Sequence, residues 1–144
     1  MRDFQRSAVY KSEKGFSYKV EFETLDQCKE YAALIVNSEY WISQKGRKRF
    51  KITDGSGCSH ARACSKGVQG VADVVTLPRW SRMRWCIIHE FAHLLTDMTD
   101  KGTSGHGAVF CKHYLMLVKE LLGQEHYDML VSNFNENNVK YLRH

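Results

Sequence analysis

The sequence lacks any hydrophobic run long enough to cross a membrane, and its polar first residues do not have the pattern of a signal peptide. It also lacks internal repeats, linkers and low-complexity segments. Only one proline is present, Pro78. These absences exclude membrane-spanning and repeat architectures, and they predict a single domain over residues 1–144.

Cysteine is infrequent and irregularly spaced. The five cysteines stand at positions 28, 58, 64, 86 and 111. An odd number of cysteines, without a secretion signal, is typical of reduced thiols in a cytoplasmic protein. We therefore expect a cytoplasmic location and a fold held together by its core.

The chain does contain an excess of positive charge. Its formal net charge is +5, with 26% charged and 43% hydrophobic residues. Segment 45–51 is a dense basic run around one aromatic residue, and it predicts a DNA-contacting surface, with a merely solvated basic face as the alternative. The contacting residues in this prediction are Lys45, Arg47, Lys48, Arg49 and Lys51.

The hydrophobic pattern predicts an α+β fold. Residues 7–11 and 16–22 favour short strands, although a helix over residues 5–13 is nearly as well supported. A helix over residues 25–40 follows, with Thr24 and Gln27 forming a capping box at its start. Three strands are predicted at residues 49–53, 60–65 and 71–77. Three helices follow within segments 81–98, 106–123 and 124–134, with Ser81 capping the first and Gly123 ending the second.

The most informative stretch is His89-Glu90-Phe91-Ala92-His93, an H-E-x-x-H motif on a predicted helix. Histidines four residues apart lie on one helical face and can bind one metal ion. Glu90 is rotated away from that pair and can take a proton from the attacking water. The alternative is an ordinary core helix, but a buried, unpaired glutamate would be costly there.

A catalytic zinc needs a third protein ligand, which must come from farther along the chain. The H-x-x-G-x-x-H continuation fails, because Thr96 and Thr99 occupy the positions that it requires. His106, with a glycine on each side, is the best candidate. Glu120 is the alternative ligand and implies a different docking of its helix.

Further residues are expected to support the ligating histidines and the transition state. Asp97 and Asp100 are candidate anchors for the second nitrogen of a ligating histidine. A donor for the oxyanion of the transition state is also expected, because its negative charge needs hydrogen bonds besides the metal. The candidates for this donor are Tyr114, Tyr127, Tyr141 and His113. A second, structural zinc on Cys58, His60 and Cys64 is a weaker alternative to a pair of ordinary thiols.

The HEFAH motif (89–93) followed by GHGAVFCKHY (105–114) resembles the SprT-like zinc metalloproteases, which include the Spartan proteins. A closer resemblance is to the small SprT-related metallohydrolases of bacteria and their phages. It rests on the Leu-Pro-Arg-Trp segment at 77–80, on Arg82, and on these opening residues: Arg2, Asp3, Gln5, Arg6, Val9 and Tyr10.

The resemblance implies a compact zincin-like domain of the minigluzincin type. In such a domain a small antiparallel or mixed sheet packs on the H-E-x-x-H helix. It further implies a zinc ion on His89, His93 and His106, with Glu90 as the general base. Spartan-type relatives degrade proteins crosslinked to DNA. This sequence lacks the C-terminal cysteine ribbon of longer SprT proteins, so the resemblance does not imply a dedicated DNA-binding module.

The sequence thus predicts a zinc metallopeptidase that acts on protein or peptide substrates. A different class remains open, namely a basic nucleic-acid- or protein-binding module with a structural zinc. A structural zinc is closed by four protein ligands, whereas a catalytic zinc keeps one position open. Hydrolysis of a non-peptide bond is a third alternative.

Overall fold

A computed structural model describes residues 3–67, 70–99 and 105–142. Within these ranges the chain is a small α+β fold, as predicted, with six α-helices and one three-stranded mixed sheet. The helices are α1 Arg6–Ser12, α2 Leu25–Val36, α3 Glu39–Ser43, α4 Arg84–Thr99, α5 Ala108–Leu122 and α6 Gln124–Glu136. The strands are β1 Phe50–Asp54, β2 Arg62–Cys64 and β3 Asp73–Leu77. None of the described helices is long and apolar enough to span a bilayer.

The N-terminal segment is helical, so the strands predicted at residues 7–11 and 16–22 are wrong and the helical alternative holds. Helix α1 continues directly into a 3-10 turn, Glu13–Gly15. The helix is favoured because it buries Val9 completely while turning Glu13 into the interior, where two side chains hydrogen-bond to it. Residues 16–22 are extended but belong to no strand of the sheet.

Helix α2 begins with the predicted capping box between Thr24 and Gln27. It ends at Val36, earlier than predicted, because a second helix begins three residues later. The Ser38 hydroxyl caps α3, and the Glu120 carboxylate accepts hydrogen bonds from the first two backbone N–H groups of that helix. A carboxylate at this end also interacts favourably with the helix dipole.

The sheet has the strand order β1-β3-β2. Strand β3 is central, parallel to β1 and antiparallel to β2. Within the described sheet both sides of β3 are paired, so this strand has no free edge for an extended peptide. Val75 and Leu77 are fully buried on the face that packs toward α4.

Helix α4 lies in the centre of the fold, between the sheet and α5. Most of its residues from Trp85 to Thr96 are buried. Ser81 does not cap it, because the Ser81 hydroxyl donates to the Pro78 carbonyl. The Glu21 carboxylate instead accepts a 2.8 Å hydrogen bond from the Arg84 N–H, at the first residue of the helix. Gly123, with φ at +99°, ends α5 as predicted.

Candidate metal centre and adjoining cleft

Three histidine side chains converge where α4 meets the loop before α5. The Nε2 atom of His89 lies 3.2 Å from that of His93 and 3.3 Å from that of His106. Tetrahedral zinc with Zn–N bonds of about 2.0–2.1 Å requires neighbouring nitrogens about 3.3 Å apart. Both distances from His89 agree with this spacing, and His89, His93 and His106 lie close enough together to hold a metal ion.

Each of the three imidazoles is also held from its other side. The Glu13 carboxylate accepts a hydrogen bond from Nδ1 of His89, and Asp3 Oδ2 lies 2.6 Å from Nδ1 of His106. The backbone of Gly105 hydrogen-bonds to His93. Anchoring Nδ1 fixes the tautomer and directs the free Nε2 lone pair toward the centre, which is the usual arrangement around a metal.

The two carboxylate anchors differ from those expected from the sequence. Asp97 is exposed and makes no hydrogen bond to the three histidines among the described residues, and Asp100 lies outside the described ranges. Asp3 and Glu13 come instead from the N-terminal segment, far away in sequence. Contacts this distant leave no local pattern, so spacing arguments do not find them.

Further hydrogen bonds fix these anchors. The Tyr114 hydroxyl, fully buried on α5, donates to Glu13 over 2.7 Å. The Gln5 amide donates to the His106 carbonyl over 2.9 Å. At Gly105, an added Cβ would stand 3.2 Å from Asp3 Oδ2, so the absence of a side chain lets the carboxylate approach. Helices α1 and α5 therefore both position the histidines.

The pKa values of His93 and His106 suit metal binding at neutral pH. Burial and the charges of the neighbouring histidines hold the pKa of His93 well below its usual range, and burial also lowers the pKa of His106. At His89 burial lowers the pKa, but the charge and hydrogen bond of Glu13 reverse the effect, and the net pKa is raised. Neutral imidazoles keep the lone pair that a metal ion needs.

Glu90 lines a cleft beside His89. Only 8% of its surface is exposed, and burial raises the pKa of its carboxyl group to about 7, although His89 lowers it in part. The cleft has a volume of about 180 Å³ and mostly aromatic walls. Its lining residues are Tyr10, Glu13, Tyr18, His60, Ala61, Trp80, Trp85, Cys86, His89 and Glu90.

Other sequence-predicted residues lie away from this site. Glu120 is occupied in capping α3, so it is not the third ligand. His113 is hydrogen-bonded on both nitrogens, to the Tyr40 hydroxyl at 2.7 Å and the Thr99 hydroxyl at 2.9 Å. Tyr127 and Tyr141 line a separate groove between α5 and α6. Among the described residues, Cys58, His60 and Cys64 do not form a second cluster close enough for an ion.

Besides Asp3 and Glu13, the structure brings Tyr10 to the site, a residue to which the sequence interpretation gave no role there. The ring of Tyr10 lies 5.2 Å from that of His106 and 6.1 Å from that of His89, centroid to centroid. On the helical alternative for residues 5–13, Tyr10 and Glu13 are three positions apart and share one face. This spacing was the sequence signal that Tyr10 and Glu13 face the same part of the structure.

The basic run is partly used inside the fold. Arg47 pairs with the buried carboxylate of Asp73, at 3.2 Å, and donates to the Ser65 hydroxyl at 2.7 Å. Lys45, Lys48, Arg49 and Lys51 remain exposed. Within the predicted DNA-contacting set, Arg47 therefore also has a structural role.

Comparison with known protein families, with curated proteins and with solved structures found no match. The function is therefore inferred from the geometry of the site.

Proposed function

We propose that the protein is a zinc-dependent metallohydrolase that acts as a peptidase and is built as a zincin-like domain around α4. One observation carries this proposal. Three histidine side chains lie close enough together to hold one ion, with Nδ1 of His89 and of His106 anchored by carboxylates, and a buried glutamate stands beside them in an open cleft.

The donor set supports zinc in a catalytic site. Imidazole suits zinc among the common metals of proteins, and three protein ligands with one open position are typical of catalytic zinc. In residues 3–67, 70–99 and 105–142 no fourth histidine, cysteine or carboxylate joins the cluster. A structural zinc would require that fourth ligand, so this composition favours the enzyme over a binding module.

The residues of the chain have separate roles in this proposal. His89, His93 and His106 would hold the ion, which when bound polarises a carbonyl group and lowers the pKa of water. Glu90 accepts a proton from the attacking water at its carboxylate and delivers it to the leaving nitrogen. Asp3 and Glu13 keep the imidazoles oriented throughout.

A peptide substrate is favoured by the strand next to the cleft. Residues His60 and Ala61 line the cleft and lead directly into β2, which pairs with β3 on one side only within the described sheet. A free strand edge can bind an extended peptide through backbone hydrogen bonds. The substrate edge is thus β2, and it would deliver a bound peptide toward Glu90.

The test is a comparison of Glu90→Gln with the wild type, both loaded with zinc, on a pool of fluorogenic peptides. Glutamine preserves the shape of the side chain but cannot accept the proton. We expect Glu90→Gln to keep one zinc per chain and the wild-type melting temperature while losing at least about 100-fold in kcat. Glu125→Gln, at an exposed carboxylate on α6, is the matched control and should cleave like the wild type.

Metal analysis accompanies the assay. Removing zinc with a chelator should abolish cleavage, and adding zinc back should restore it. Wild-type turnover by the Glu90→Gln variant would show that this carboxylate is not the base. No zinc bound by the wild type would overturn the proposal as a whole.

A further inference from the structure

The cleft beside Glu90 contains a second polar group near the metal centre, the phenol of Tyr10. Tyr10 stands on α1, with 39% of its surface exposed, and it lines the same cleft as Glu90. Its ring meets the His106 ring edge-on, at an interplanar angle of 76°. Tyr10 thus contacts two metal-ligating imidazoles while remaining accessible to a substrate.

The other candidate donors are occupied or distant. The hydroxyl of Tyr114 is already donated to Glu13, and it is fully buried. His113 is bonded to Tyr40 and Thr99. His60 lines the cleft from the segment before β2, but no described contact joins its ring to the three ligand imidazoles. Tyr10 is the polar side chain of the cleft that packs on those imidazoles and is not engaged with Glu13.

The state of the phenol is suitable for donation. A tyrosine hydroxyl keeps its proton at neutral pH. The Arg6 guanidinium lies 5.7 Å from the centre of the ring. One turn of α1 therefore presents a neutral O–H donor with a cation beside it at the opening of the cleft.

We propose that Tyr10 is a catalytic residue whose hydroxyl donates a hydrogen bond to the negatively charged oxygen that develops on the substrate carbonyl. This inference rests on the proposed hydrolase function. The proton stays on the phenol, and no bond of Tyr10 is made or broken. A preorganised donor aimed at developing charge stabilises the transition state more than the ground state, so its removal lowers kcat more than it raises KM.

Tyr10→Phe is the informative variant because it removes one oxygen atom and preserves the ring that packs on His106. The matched control is Tyr127→Phe, which removes the same atom in the separate groove between α5 and α6. Both variants and the wild type are loaded with zinc and assayed on the pool of fluorogenic peptides. Affinity for a phosphinic peptide, whose tetrahedral phosphorus centre imitates the transition state, is measured by calorimetry.

For Tyr10→Phe we expect unchanged zinc content, an about 100-fold lower kcat with little change in KM, and at least about 10-fold weaker binding of the phosphinic peptide. Tyr127→Phe should match the wild type in all four measurements. Wild-type kcat and phosphinic-peptide affinity in Tyr10→Phe would overturn the inference. A loss of zinc parallel to the loss of activity would also overturn it, because the residue would then act only through the ligands.

The same experiment separates this inference from the proposed function. If the wild type cleaves no peptide of the pool and does not bind the phosphinic peptide, the peptidase proposal fails and the role of Tyr10 fails with it. If the wild type is active and Tyr10→Phe is equally active, only the role of Tyr10 is lost.

Discussion

The Asp3 carboxylate lies 2.6 Å from Nδ1 of His106, although 103 positions separate the two residues in the chain. This hydrogen bond ties the N-terminal segment to the loop that carries the third candidate ligand. Glu13, ten residues after Asp3, does the same for His89. The N-terminal segment is therefore part of the candidate metal site, and we expect its docking and metal binding to depend on each other.

Asp3→Ala tests this dependence. Losing the carboxylate frees the His106 ring to rotate, so we expect zinc affinity to fall by about 10- to 100-fold while the folded state persists. Competition with a chromogenic zinc chelator measures the affinity. Asp128→Ala, at an exposed carboxylate on α6, is the control and should bind zinc like the wild type. Equal affinities for the two variants would contradict the anchoring role.

His106→Ala and Glu120→Ala distinguish the two candidate third ligands. His106→Ala should lower zinc affinity far more than any anchor variant and abolish hydrolysis, because two remaining histidines do not define a tetrahedral site. Glu120→Ala should retain zinc and lose about 1 kcal/mol of stability, since the first N–H groups of α3 lose their cap. Metal titration and chemical denaturation provide the two measurements. Zinc loss in Glu120→Ala with retention in His106→Ala would reverse the assignment.

His113 predicts a pH dependence of stability that is independent of catalysis. Burial lowers the pKa of His113 to about 4, with a smaller contribution from the charge of Lys112. The unfolded chain binds this proton near pH 6.5, whereas the folded chain does so only near pH 4. The contribution of neutral His113 to the free energy of unfolding is therefore fully present above about pH 6.5. It is lost progressively as the pH falls toward 4.

His113→Gln removes this titration while keeping a donor and an acceptor for Tyr40 and Thr99. Between pH 7 and pH 5 the wild type should lose about 2 kcal/mol more unfolding free energy than the variant. Urea denaturation at both pH values, with zinc saturating, measures this difference. Because both proteins keep the three ligand histidines, the titration of those residues cancels in the comparison. If the unfolding free energies of the two proteins fall in parallel between pH 7 and pH 5, His113 takes up its proton equally in the folded and unfolded states. That result would contradict the lowered pKa.

The exposed part of the basic run remains a proposed contact for DNA. We expect the binding of a DNA oligonucleotide to weaken steeply with salt, and replacing Lys45, Lys48 and Lys51 by glutamine should make the log–log salt slope shallower by about three. The control has the same change in charge elsewhere, at Lys14, Lys29 and Lys140. A salt-insensitive titration, or no binding at low salt, would remove DNA as a partner.

Arg47 is left out of this variant for a structural reason. Its guanidinium neutralises the Asp73 carboxylate, of which 1% is exposed, and its removal would leave a buried charge unpaired. Neutralising Arg47 would therefore weaken DNA binding through the fold as well as through charge.

Much of the fold was predictable from local patterns. Local patterns predicted three kinds of feature: the capping box at Thr24, the presence of strands β1 to β3, and the end of α5 at Gly123. Each depends on residues within a few positions of each other, so the sequence displays it directly. The H-E-x-x-H spacing likewise fixed His89, His93 and Glu90 on one helix. The boundary between α2 and α3 was missed although Ser38, which caps α3, is local; the second cap, Glu120, lies about 80 residues away and leaves no local pattern.

The sequence alone therefore determined the α+β class of the fold, the helix that carries two of the three clustered histidines, and the residue types of the candidate site. Tertiary structure decided which distant groups complete that site: Asp3 and Glu13 behind the histidines, and Tyr10 at the cleft. It also placed β3 at the centre of the sheet and used Arg47 to neutralise Asp73. The physical reason is the range of the interactions. Helix periodicity and capping act over three or four residues, whereas an anchoring hydrogen bond or a strand order depends on which segments the core brings together.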